Sequence, residues 1–128
     1  LIRCTKTKPR IKLLGDRMAS ADQEGCVVVL TTMPDEFSAG DFAQRLVERR
    51  VIACANVVPR ITSVYRWDGR VKRDQEALVI MKTTRARVPV LKDVMDDLHP
   101  YEVPEMMVLP DSGAHRAYLG WVAEEVAG

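Results

Sequence analysis

The sequence predicts an α+β domain of ferredoxin-like order, βαββαβ, with a long central hairpin and an added C-terminal helix. Three observations carry that reading. Residues 55–84 form two extended stretches joined at Asp68-Gly69. Short apolar runs at 26–32 and 105–110 supply one strand on either side of them. Between these strands lie two apolar stripes at helical spacing, the alternation expected of a split βαβ arrangement.

Taken in order, Cys26 to Thr32 is a β-branched run, long enough for one strand buried on both faces. Met33-Pro34 ends it, with Met33 read as gap-filling core. Ser38 then precedes Ala39, Phe42, Ala43, Leu46 and Val47, which fall on one helical face. Asp41, three residues after Ser38, suggests a near capping box with Ser38 as the cap. From Ile52 to Tyr65 the composition turns β-rich. Asp68-Gly69 suits a type I′ turn, whose two central residues need positive φ. Ala77 to Met81 is apolar throughout, so the hairpin's second strand has greasy residues on both faces.

Val88, Leu91, Val94, Met95 and Leu98 make the second helical stripe, begun near Pro89 and stopped by Pro100. Glu105 to Pro110 reads as the fourth strand. Ala114, Tyr118, Trp121 and Val122 mark a closing helix.

The chain has 128 residues, 47% apolar and 29% charged, enough for one cored domain and unlike a disordered chain. No apolar run is long enough for a membrane helix, so no membrane partner is expected. Residues 1–17 hold six bases and one acid, and the other 111 residues hold 13 bases and 17 acids. The folded part is therefore mildly acidic, which argues against nucleic acid as a partner. Met18-Ala19-Ser20 reads as a translation start, making residues 1–22 a flexible extension and 23–128 the domain. Three cysteines without paired spacing exclude a disulfide scaffold and a four-cysteine zinc site, and a reduced, cytoplasmic setting fits.

Four strands with two helices on one side leave the opposite sheet face uncovered. Leu78 and Ile80 alternate with Val79 and Met81, so neither face of that strand is polar. Burial of apolar area is worth about 25 cal/mol per Å², and self-association is the economical way to gain it.

Several side chains stand out for their chemistry. His99 ends the second helix, where the macrodipole and open carbonyls favour a cation or a cap. Glu102 and Glu105 follow in a stiff Pro100–Pro104 segment; their odd spacing predicts that they face opposite sides. Imidazole and carboxylate together suit a divalent metal, which makes His99 and Glu102 the metal candidates. Cys54 reads as a small buried hydrophobe, and nothing supplies a signature for a Cys/His enzyme. Trp67, with Tyr65, reads as an anchor at a contact between chains. Lys82 lies in an apolar strand and needs a partner: Glu76, Glu105 or an anion.

Five ordered segments carry a resemblance: Ala53 to Pro59, Ile61 to Gly69, Lys82-Thr83, His99 to Glu105, and Tyr118 to Trp121. Together they are similar to the CutA divalent-cation tolerance proteins from about Val27 to Val126. The resemblance implies a homotrimer whose long hairpins clasp neighbouring subunits, no enzymatic activity, and tolerance to copper or other divalent metals. It also implies kinship with PII-like signalling trimers, which bind small effectors between subunits. On that alternative, Lys82, Arg60 and Tyr101 form an anion or nucleotide cleft; a trimeric scaffold for partner proteins is a further alternative. Some members ligate copper through a cysteine at the end of the first strand and a His-His pair. Here Thr31 and Leu98-His99 occupy those positions, and Cys26 is roughly 16 Å away on the opposite face. Arg60 stands where many relatives carry glycine.

Overall fold

The computed structural model describes residues 25–111 and 113–127. The expected extension at 1–22, its translation start and the domain boundary at 23 lie outside them. The elements run β1 (Cys26–Met33), α1 (Glu36–Glu48), β2 (Cys54–Trp67), β3 (Arg70–Thr84), a 3-10 turn (Arg85–Arg87), α2 (Val88–Leu98), β4 (Met107–Pro110) and α3 (Arg116–Glu125). The four strands form one antiparallel sheet in the order β2-β3-β1-β4.

Burial alternates along β1, which corrects the expectation of a strand buried on both faces. Val27, Val29, Thr31 and Met33 turn toward the helices, and their β3 partners Thr83, Met81, Val79 and Ala77 do the same. Phe42 and Leu46 of α1 and Leu91 and Met95 of α2 complete this core. Met33 is the last residue of β1 and fully inside it, as gap-filling predicts.

The opposite face is only partly covered. Cys26 packs there with Val122 of α3, with Val126 just after that helix, and with Ala53 just before β2. Away from α3, Val28, Leu30, Leu78 and Ile80 are half-buried, while Met107 and Leu109 are exposed. This is the uncovered apolar face the composition anticipated.

The hairpin outreaches its neighbours. β1 pairs with β3 only over Ala77–Thr84, so residues 61–76 project with no third strand beside them. Asp68 and Gly69 both take positive φ, 53° and 77°, as a type I′ turn requires. Lower down, Pro59 and Arg60 of β2 face the single residue Ala77, a β-bulge that shifts the register by one. Arg60 adopts φ 58° to make it.

Local capping differs from expectation at the start of α1. Asp35, not Ser38, caps α1: its carboxylate accepts the Ser38 N–H at 2.7 Å. The chain leaves Pro34 extended at Asp35, so the helix starts three residues early. α3 begins at Arg116 with His115 as its cap, the ring Nδ1 of His115 accepting the Ala117 N–H at 3.1 Å. At its other end, α1 closes in a Schellman turn. Val51 N–H bonds Leu46 C=O and Arg50 N–H bonds Val47 C=O, both at 3.0 Å, with Arg50 at φ 58°.

Candidate functional site

The conspicuous residues gather where the loop after α2 crosses beneath the projecting hairpin. His99 is the C-cap residue of α2, but its ring does not serve the helix's own carbonyls. It turns inward, 7% exposed, with Nε2 at 2.9 Å from the Thr32 carbonyl and 3.1 Å from the Thr31 hydroxyl. Its Nδ1 accepts the Tyr101 N–H at 3.1 Å. That pattern identifies the neutral ring with its proton on Nε2. Phe42 meets it edge-on at 5.7 Å and Tyr101 lies against it at 5.0 Å. Burial pushes the imidazole pKa below its usual value, outweighing the Thr32 bond and the Glu76 charge that favour the cation. Desolvation thus overrides the helix-end preference for a cation.

Tyr101 continues the chain of contacts outward. Its hydroxyl donates to Glu76 of β3 at 2.5 Å. Burial, then the Glu76 bond, raises the phenol's pKa. Glu105 is pushed up by burial and by the charge of Glu76. The Tyr65 hydroxyl donates to Asp74. These groups line a cleft of about 860 Å³ that also includes Glu102, Trp67 and Lys72. Glu102 and Glu105 therefore share one cleft, contrary to the opposite-side expectation. The 99–106 segment bends around its prolines and β4 starts only at Met107, so strand alternation does not apply to it.

Lys82 takes neither of the expected carboxylates. Its ammonium donates to the side-chain carbonyl of Asn56 on the neighbouring strand. Glu76 is six residues along β3, about 20 Å away at the rise of a strand. Arg60 lines a second cleft, of about 900 Å³, with Asp35, Glu36, Asp41 and Glu76. Lys82, Arg60 and Tyr101 are thus not brought together within one chain. The Asn56 partner is not legible in the sequence because the bulge at Arg60 shifts the hairpin register between it and the turn.

Cys54 is buried, with its sulfur 3.4 Å from the Tyr118 hydroxyl. Burial and the thiol raise the Tyr118 pKa. Tyr118 also packs against Trp121 at 5.6 Å. Trp67 is 53% exposed on the single chain.

The metal candidates fare poorly as a closed centre. Both His99 nitrogens are engaged, Thr31 is one of the partners, and Glu102 is exposed on the cleft wall. Among the described residues no three His, Cys, Asp or Glu side chains converge to hold an ion. The described residues of a single chain form no closed metal centre. Among the described residues no helix is long and apolar enough to cross a membrane.

Comparison with known proteins places this arrangement. The model of the CutA1 divalent ion tolerance protein matches residues 27–125. The divalent-cation tolerance protein CutA of Thermus thermophilus is 50% identical over 97 residues, 76% of this chain and 94% of that protein. Human protein CutA is 42% identical over 93 residues, 73% of this chain but only 52% of that protein. Among solved structures, the Thermus thermophilus protein matches with a TM-score of 0.76 at 48% identity, covering 78% of this chain and 97% of that one. CutA1 from Oryza sativa matches with a TM-score of 0.77 at 35% identity, covering 79% and 93%. The chain belongs to the CutA1 divalent ion tolerance family.

Proposed function

We propose that this chain acts in the response to divalent cations, copper first among them, as a non-enzymatic cytoplasmic homotrimer. The observation that carries the reading is the uncovered apolar sheet face beside a hairpin that overreaches its own sheet. Half-buried Val28, Leu30, Leu78 and Ile80, with exposed Met107 and Leu109, form a surface suited to a second and third copy. The strand order β2-β3-β1-β4 supports a ferredoxin-like subunit of the kind that builds PII-like trimers. An odd, small number of cysteines supports the cytoplasmic setting.

Metal contact in this reading is weak and depends on assembly, since the described residues of one chain offer no closed centre. Equilibrium dialysis of the assembled protein against Cu(I) and Cu(II) tests it. The expected result is low occupancy that His99→Gln or Glu102→Gln reduces further. Copper distributing equally on both sides of the membrane would remove the direct metal role.

A second reading, an anion-responsive trimer, draws on one observation. The Lys82 ammonium on the open face has an amide, not a carboxylate, as its partner. Copies brought face to face would then have to unite Lys82, Arg60 and Tyr101. A melting temperature raised by nucleotides or phosphate, and not by copper, favours this reading.

A further inference from the structure

We draw no further inference here: the strongest candidate, the cleft of about 900 Å³ between the start of α1 and the base of the hairpin, is an acidic cluster around Arg60 beside the exposed Phe37, and nothing among the described residues points to a ligand or shows what covers it.

Discussion

The Nε2–H of His99 reaches the carbonyl oxygen of Thr32 at 2.9 Å, tying the end of α2 to the end of β1. The same ring accepts the Tyr101 N–H, so one side chain sets the path of the loop that walls the cleft. His99→Ala removes both bonds and leaves a hole beside Phe42. We expect a loss of about 2–3 kcal/mol, read from urea unfolding.

The same histidine gives a pH dependence with a definite sign. Its folded pKa lies below the ordinary 6.5 because burial disfavours the cation. The unfolded chain therefore binds the extra proton first, and stability falls as the pH drops below about 6.5. Glu105, raised by burial and by Glu76, works in the opposite direction at the acidic end. Urea midpoints from pH 7.5 to 5.5 should fall for the wild type and flatten in His99→Gln.

Arg60 bears a backbone conformation that glycine adopts without strain, φ 58° at the bulge. Arg60→Gly should raise stability by about 0.5–1 kcal/mol, the left-handed cost recovered less the added freedom of the unfolded chain. Arg60→Val should lower it, since a β-branched residue tolerates that region least. Denaturant midpoints of the two variants should move in opposite directions.

Asp35 carries the cap of α1. Its pKa is lowered by the bonds from Ser38, backbone first. Asp35→Ala should lower the melting temperature more than Ser38→Ala, because Asp35→Ala removes the acceptor of the residue-38 N–H, whereas Ser38→Ala keeps that bond and loses only the hydroxyl's bond to the Asp35 carbonyl. Ser38→Ala as the more damaging change would restore Ser38 as the cap.

Much of the fold was legible because its signals are local. The Asp68-Gly69 turn, the Val88–Leu98 stripe and the apolar run at Ala77–Met81 each declare themselves within a few residues. The bulge was not legible, and its consequences spread. By shifting the register at Pro59 and Arg60, it turns Ala55 and Val57 toward Met81 and Val79 in the core. Asn56 is thereby left on the face of Lys82, where it takes the ammonium. The site was legible as a set of residues, His99 to Glu105, but not as an arrangement. Nothing near His99 in sequence indicates that its ring crosses to Thr31 and Thr32, and only the packing of α2 on the sheet brings them together.

The central claim is that the uncovered sheet face joins copies of this chain, and sedimentation equilibrium at micromolar concentration tests it most directly. The account predicts three times the 14.4 kDa chain mass, with Ile80→Glu shifting the distribution toward smaller species. A folded wild-type protein sedimenting as a single 14.4 kDa chain would contradict it.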